Sequence, residues 1–231
     1  MSNLRTQYTD VETYMQSCMN DSAHDLEHVY RVLNYALAIA AHEQQVEVEL
    51  LVVACLLHDI GRAEQLTDSQ KDHAQVGADK AYQWLTTNNY DKQFAERVRD
   101  CISTHRFRSE HPPISLEAKI LYDADKLDAC GTIGMARTLM HLALIKKPLY
   151  VLTASGEISD GSESHESSLF SEYLYKLARV YEGYHTQWAS AFAAQRQSAA
   201  QSLYDSLLTE VRECYALNNV NELLGLQQGS H

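Results

Sequence analysis

Residues that break regular structure are scarce in this sequence, which has nine glycines and three prolines among 231 residues. An all-β chain needs many tight turns, and glycine and proline supply most of them. Apolar residues make up 45% of the chain, which is enough to bury a substantial core. The composition therefore excludes an all-β fold and favours a helical one.

Membrane and disulfide signals are also missing. No stretch approaches the roughly 18 apolar residues of a membrane span, and the first residues lack the apolar core of a signal peptide. The five cysteines are scattered, without a Cys-x-x-Cys pair. Such a set is typical of reduced thiols rather than a disulfide framework or a zinc knuckle. We therefore expect a cytoplasmic protein with no membrane partner.

Positively charged residues are few: the sequence has 19 Lys and Arg and 31 Asp and Glu, which gives a net charge of −12. The longest run of basic residues is the pair Lys146-Lys147. Because this surface repels the phosphate backbone, we do not expect a nucleic-acid duplex as partner.

Helical periodicity is clearest in residues 29–40, where apolar residues recur on one face. Residues 50–57 are all apolar and could form a buried strand or an enclosed helix; we predict a helix that stops at Gly61. Further helices are predicted along the chain. One starts at Ser69 or Asp72, the next runs from Phe94 to His105, and a third starts at Ser115 and includes Ala129. The remaining predicted helices cover Met135 to Ile145, residues 170–181 and about 186–217.

The segment 153–168 is rich in Ser, Gly, Asp and Glu and predicts a solvated loop. The sequence contains no internal repeat and no second composition regime. We therefore predict a single all-α domain over residues 1–231 that carries this loop, with a core at about 20–200. The oligomeric state is left open.

Four polar residues stand out because they lie at or near apolar helix faces: His28, His58, Asp59 and Asp125. Burying an unpaired carboxylate costs several kcal/mol, so each acid needs a partner. Two imidazoles and two carboxylates around one divalent cation would satisfy all four groups. Taken singly, each has an ordinary explanation, such as a hydrogen-bonded core histidine or a salt bridge from Asp125.

These residues lie in recognisable strings. Residues 56–61 read Leu-Leu-His-Asp-Ile-Gly, preceded by His-Val-Tyr-Arg-Val at 28–32 and followed by Asp-Ala-Asp-Lys-Leu-Asp-Ala at 123–129. The set resembles the HD-domain metal-dependent phosphohydrolases, a fold with a helical bundle built around a metal site. Residues 22–28, 123–137 and 170–177 resemble the YedJ/YpgQ-like bacterial subgroup, some members of which are nucleotide pyrophosphohydrolases. The similarity covers about residues 20–200.

The resemblance implies that His28, His58, Asp59 and Asp125 bind the metal, with Asp123 as the competitor for the last place. An N and O ligand set suits Mn²⁺, Mg²⁺, Co²⁺ or Fe²⁺. Asp128, one turn after Asp125, is expected to act in catalysis by orienting a metal-bound water or a group just outside the metal ligands.

Groups that balance the charge of a phosphate are expected nearby: Arg31, Lys126 and Arg62. His73 and His105 are expected either to bind a second ion or to serve as general acid and phosphate donor.

The sequence thus predicts a phosphohydrolase that uses a metal-activated water on a small phosphorylated substrate, preferably a nucleotide that loses pyrophosphate. Two alternatives stay open: a dinuclear iron oxygenase of HD type, and a metal-containing regulatory module that binds a nucleotide without turning it over.

Overall fold

The computed structural model describes residues 2–19, 26–68, 70–106, 111–163 and 167–216. Within these ranges the regular structure is helical, and extended pairing is limited to one isolated bridge between Leu152 and Ile158. The all-α prediction is confirmed. The helices are α1 (Ser2–Met19), α2 (Leu26–Ala40), α3 (Val48–Leu57), α4 (Arg62–Thr67), α5 (His73–Thr87), α6 (Lys92–Ser103), α7 (Leu116–Leu127), α8 (Gly131–Leu144), α9 (Leu169–Tyr175), α10 (Gln187–Ala194) and α11 (Gln197–Ala216), with a 3-10 helix at Leu177–Arg179.

The chain divides into two compact units. The first contains Met1–Asp128 and Gly183–Phe192, and the second contains Ala129–Glu182 and Ala193–His231. In the first unit α2, α3, α6 and α7 pack together and α5 packs along α6, while in the second α8 packs on α9 and α11. The single domain expected from the sequence stays a prediction.

Helix α3 lies at the centre of the first unit, in contact with α1, α2, α6 and α7. Its apolar residues point in every direction around the axis, and seven of its ten residues are buried. A helix that is hydrophobic all round is stable only when it is enclosed on all sides. The choice of a helix over a strand for residues 50–57 is therefore confirmed. None of the described helices combines the length and apolar character that a bilayer crossing needs.

Side-chain caps start two of the helices that carry site residues, α5 and α7. Ser115 accepts a hydrogen bond from the backbone N–H of Ala118 at the start of α7, and Asp72 does the same for Ala74 at the start of α5. Each cap satisfies one backbone donor that the helix itself leaves unpaired. Both predicted starts are confirmed, with Asp72 as the cap of α5; Ser69 lies outside the described residues.

Gly61 does not end a helix as predicted. Helix α3 ends at Leu57, a turn follows, and Gly61 precedes α4 with an ordinary negative φ of −94°. A side chain here would clash with the backbone carbonyl of His73 and would place Cβ 2.6 Å from the backbone nitrogen of Gly77. Gly61 is needed because the turn after α3 and the start of α5 come into direct backbone contact.

Several predicted boundaries shift. The predicted helix 170–181 is α9 followed by the 3-10 helix, and the predicted helix 186–217 is interrupted, since α10 ends at Ala194 and α11 begins at Gln197. At that break the N–H of Arg196 donates to the carbonyl of Ala193, which closes a tight turn. Helix α7 ends at Leu127, before Ala129, and α6 ends at Ser103, just before His105. The described parts of the loop 153–168 contain no helix until α9, as predicted.

Candidate metal centre

Three of the predicted ligands form what we call the first ligand group: His28, His58 and Asp125. His28 lies on the buried face of α2, His58 lies in the turn after α3, and Asp125 lies in the last turn of α7. Nε2 of His28 lies 3.3 Å from Nε2 of His58 and 3.3 Å from Oδ1 of Asp125. Nε2 of His58 is 4.0 Å from the same Asp125 oxygen. Three separated stretches of the chain therefore bring their ligand atoms to one point.

A second ligand group consists of Asp59, His73 and His105. His73 is the first residue of α5 and His105 follows α6, and all three side chains are buried. Oδ1 of Asp59 lies 3.6 Å from Nε2 of His73 and 3.7 Å from Nε2 of His105. The other Asp59 oxygen, Oδ2, faces the first group, at 3.4 Å from Nε2 of His28. Asp59 thus stands between the two groups and presents one oxygen to each.

Each of the four imidazoles forms a hydrogen bond through Nδ1, which lies 2.6 to 2.8 Å from an oxygen. The partners are the Asp128 carboxylate for His28, the Cys55 carbonyl for His58, the Gln65 side-chain oxygen for His73 and the Ile102 carbonyl for His105. Carboxylate and carbonyl oxygens only accept hydrogen bonds, so this pattern assigns the ring proton to Nδ1. Every Nε2 then carries a lone pair and no proton.

The donor set fits a divalent cation. With the ring protons on Nδ1, the Nε2 atoms of His28 and His58 face each other as two lone pairs, which cannot form a hydrogen bond. Nε2 of His73 and Nε2 of His105 are buried and have no hydrogen-bond partner among the described residues. Buried acceptors that face other acceptors are costly unless a cation lies between them. Imidazole nitrogens with carboxylate oxygens suit Mn²⁺, Fe²⁺ or Co²⁺.

Burial also sets the charge of the ligands. Desolvation lowers the pKa of His58 to about 4 and that of His73 to about 3, where the Arg62 guanidinium adds to the effect. Both rings are therefore neutral near pH 7 and able to bind a metal. Burial opposes ionisation of Asp59, but Arg62 and the imidazoles outweigh it and hold its pKa well below the usual range.

Asp123, the competitor for the fourth ligand position, is engaged elsewhere. Its carboxylate accepts hydrogen bonds from the backbone N–H groups of His185 and Thr186, at 2.8 to 3.1 Å, and from the Thr186 hydroxyl at 2.7 Å. These bonds hold the segment that leads into α10. The geometry therefore favours Asp125, although its role as a ligand stays a prediction.

The expected substrate-binding residues differ in their surroundings. Arg31 and Arg62 each have a side chain that is 28% exposed, and each contacts a buried acid. Nε of Arg31 lies 2.8 Å from Asp128, and Nε of Arg62 lies 2.9 Å from Asp59. Lys126 is buried instead, with Nζ 3.4 Å from the carbonyl of Gly183 and over the Tyr184 ring. The arginines are therefore better placed to meet a substrate than Lys126.

Asp128 lies behind the first group and is completely buried. One oxygen contacts Nδ1 of His28 at 2.7 Å, and both oxygens accept from the Arg31 guanidinium. This position suits the orientation of a ligand ring better than contact with a water or a reacting atom. Asp128 thus contacts the ring of a candidate ligand, His28, and its role in catalysis stays a prediction.

A surface cleft of about 430 Å³ shares no residue with either ligand group. Its lining includes the acidic side chains of Asp10, Glu49 and Asp91 beside Trp84 and Phe94. Three carboxylates repel a phosphate, so this cleft is a poor candidate for a phosphorylated substrate.

Residues 25–130 of the chain match the model of the HD domain family. This range contains both ligand groups. Residues 25–130 form an HD domain. The resemblance to HD-domain proteins, predicted from a His, a His-Asp pair and a distant Asp, is confirmed.

Relatives extend the similarity beyond the HD domain itself. The chain is 27% identical over 198 residues to the protein YpgQ of Bacillus subtilis (strain 168), covering 83% of this chain and 87% of YpgQ. The crystal structure of B. subtilis YpgQ in complex with ADP matches with a TM-score of 0.69 at 25% identity, over 90% of this chain and 96% of that one. A predicted HD superfamily hydrolase from an uncultured Thermotogales bacterium matches with a TM-score of 0.56 at 26% identity, over 89% and 91%.

Sequence reasoning missed three of the four groups that accept a hydrogen bond from Nδ1 of these imidazoles. Gln65, on α4, accepts from His73, and the carbonyls of Cys55 and Ile102 accept from rings three residues later. The backbone contacts follow a local signal, because each histidine lies three residues after its acceptor at a helix end. Gln65 has no such signal, since it lies eight positions before His73 and on a different helix.

Proposed function

We propose that this HD-domain protein hydrolyses the phosphate anhydride of a nucleotide, with release of pyrophosphate from a nucleoside triphosphate as the preferred reaction. The HD domain makes the chain a metal-dependent hydrolase, the class predicted from the sequence. The observation that carries the finer proposal is the convergence of His28, His58, Asp59 and Asp125 in a buried site. The ADP bound to YpgQ supports a nucleotide as the substrate class.

The proposed chemistry divides among the residues of the site. His28, His58, Asp59 and Asp125 would hold a divalent ion, which when bound lowers the pKa of a water and polarises a phosphoryl oxygen. Asp128 fixes the ring of His28, so that its Nε2 lone pair points into the site.

Charge on the substrate must be balanced locally. The protein carries a net charge of −12, so its overall field opposes the approach of a nucleotide. Arg31 and Arg62 border the two ligand groups with partly exposed guanidinium groups, and we propose that they contact the phosphates. Attraction then depends on these arginines and on the bound cation rather than on the surface as a whole.

His73 and His105 are proposed as ligands for a second ion. Their Nε2 lone pairs face Asp59 and have no other partner among the described residues. The alternative role in proton transfer requires a ring that gains and loses a proton near pH 7. Burial lowers the pKa of His73 to about 3, which argues against that role for this ring.

The decisive experiment is a nucleotide panel assayed with Mn²⁺ and with Mg²⁺, followed by product analysis. We expect monophosphate and pyrophosphate from a triphosphate. Asp59→Asn should reduce the rate by roughly a thousandfold, because several kcal/mol of metal-dependent stabilisation are lost. Asp79→Asn is the matched control, since Asp79 is 45% exposed and pairs with Arg99 on the surface. Full turnover by Asp59→Asn would refute the proposal.

The second ligand group also favours a different function, a dinuclear iron oxygenase, because it offers a second metal site next to the first. Metal analysis of protein purified without oxygen separates the two functions. Two irons per chain with oxygen uptake and no nucleotide hydrolysis would establish the oxygenase instead.

A further inference from the structure

The two oxygens of Asp59 have different neighbours. Oδ2 lies 3.4 Å from Nε2 of His28 and 3.7 Å from Nε2 of His58, on the side of the first group. Oδ1 faces His73 and His105, and the same oxygen also accepts a hydrogen bond from Nε of Arg62 at 2.9 Å. A permanent cation of the protein therefore lies on the side of the second group.

The position of Arg62 is fixed by the local backbone. Arg62 is the first residue of α4, and its N–H donates to the carbonyl of Asp59 at 3.0 Å. The guanidinium reaches the carboxylate of the same residue, three positions earlier. Gly61 lets the turn between them lie directly against α5, which starts at His73. The turn that supplies Asp59 as a ligand thus also supplies a positive charge at one of its oxygens.

This charge affects the two ligand groups unequally. A guanidinium on the ligand oxygen repels a dication bound to that oxygen, and repulsion is only partly screened at a site that is mostly buried. Arg31 provides the contrast, because it contacts Asp128, which lies behind His28 and is not among the ligand atoms. The first group therefore keeps its ligand oxygens free of an arginine contact of this kind among the described residues.

We propose that Arg62 sets the number of metal ions, by occupying the Asp59 oxygen that the second group needs and so weakening the second ion relative to the first. This inference rests on the metal site proposed above. The protein then works with one tightly bound ion, and a second ion binds only when Arg62 leaves Asp59. A substrate phosphate that draws Arg62 away would favour the second ion.

The test measures Mn²⁺ binding to the metal-free full-length chain by isothermal titration and by electron paramagnetic resonance, without any assay of turnover. For the wild type we expect one tight step and a weak second step. In Arg62→Gln the second step should tighten by about tenfold or more, with a spin-coupled Mn²⁺ pair in the spectrum. Arg62→Lys keeps the charge without the bond from Nε and should lie between the two.

Arg31→Gln is the matched control, since Arg31 has the same 28% exposure and also contacts a buried acid. It should leave the second step unchanged. An equal second step in the wild type and Arg62→Gln, or equal tightening in Arg31→Gln, would overturn the role of Arg62 alone. Failure of the wild type to bind any Mn²⁺ would overturn the proposed function and this inference with it. Circular dichroism verifies that each variant is folded, and Arg62→Lys provides the comparison if Arg62→Gln is not.

Discussion

The two ligand groups of this HD domain use the same chemistry but are supported differently. In the first group a buried carboxylate, Asp128, orients His28, and this carboxylate is itself held by Arg31. In the second group a neutral amide, Gln65, orients His73, and the arginine lies on the ligand oxygen itself. A charged acceptor makes a stronger hydrogen bond than a neutral one. For the metal site proposed above, we therefore expect the first group to bind an ion tightly and the second to bind one weakly or conditionally.

The largest difference between the groups should follow from Asp128→Asn. The variant keeps the shape of the side chain but removes the charge that accepts from His28 and Arg31. We expect the affinity for the first Mn²⁺ to fall by about 10- to 100-fold, as is typical when an outer partner of a metal-bound histidine is lost. Competition titration with a chelator of known affinity measures this change.

Asp100→Asn, at an exposed position on α6, is the control for the loss of a carboxylate. Its affinity for the first ion should equal that of the wild type. Unchanged affinity in Asp128→Asn would mean that Asp128 does not orient His28, and the contrast between the groups would then lose its basis.

Acid should destabilise the metal-free protein through both groups. The pKa of His58 is lowered to about 4 and that of His73 to about 3, in each case mainly by burial. Between the ordinary value near 6.5 and these folded values, the unfolded chain binds more protons than the folded chain. The free energy of unfolding is therefore highest above about pH 6.5. It falls as the pH drops, by up to about 1.4 kcal/mol per pH unit for each ring.

Urea unfolding in EDTA, followed by circular dichroism from pH 7.5 to 4.5, measures this slope. His58→Gln and His73→Gln should each remove part of it, one from each ligand group. His42→Gln should not, because His42 is exposed and stacks on Trp188. A free energy of unfolding that does not change over this range would contradict the burial of neutral rings.

The first ligand group was largely predictable from the sequence. The apolar stripe of α2 places His28 on an inward face, and the largely apolar α3 is followed directly by His58 and Asp59 at its buried end. The capped start of α7 fixes the turn on which Asp125 lies. These are properties of single helices, and periodicity and capping rules describe single helices well.

The support of the second group was not predictable in the same way. Helix α4 is short and has no buried residue, so it leaves no apolar stripe to detect, yet it carries Arg62 and Gln65. Gly61 was misread as a helix stop because its true constraint is a backbone contact with another helix. Contacts of this kind depend on how helices pack, which one helix cannot show.

The smallest effect should come from Gln65→Leu, which removes the neutral acceptor behind His73. Without it the ring proton is free to move from Nδ1 to Nε2, the atom that faces Asp59. We expect about a tenfold loss in the second Mn²⁺ step and no change in the first. Gln65→Glu keeps an acceptor and should restore the second step. Nitrogen NMR of the metal-free protein reads the proton position directly; a wild-type proton on Nε2 of His73 would contradict the assignment. Among the four imidazoles, His73 is the one whose Nδ1 partner is a side-chain amide; the other partners are a carboxylate and two backbone carbonyls. The position of its ring proton is therefore the most sensitive test of the difference between the two ligand groups.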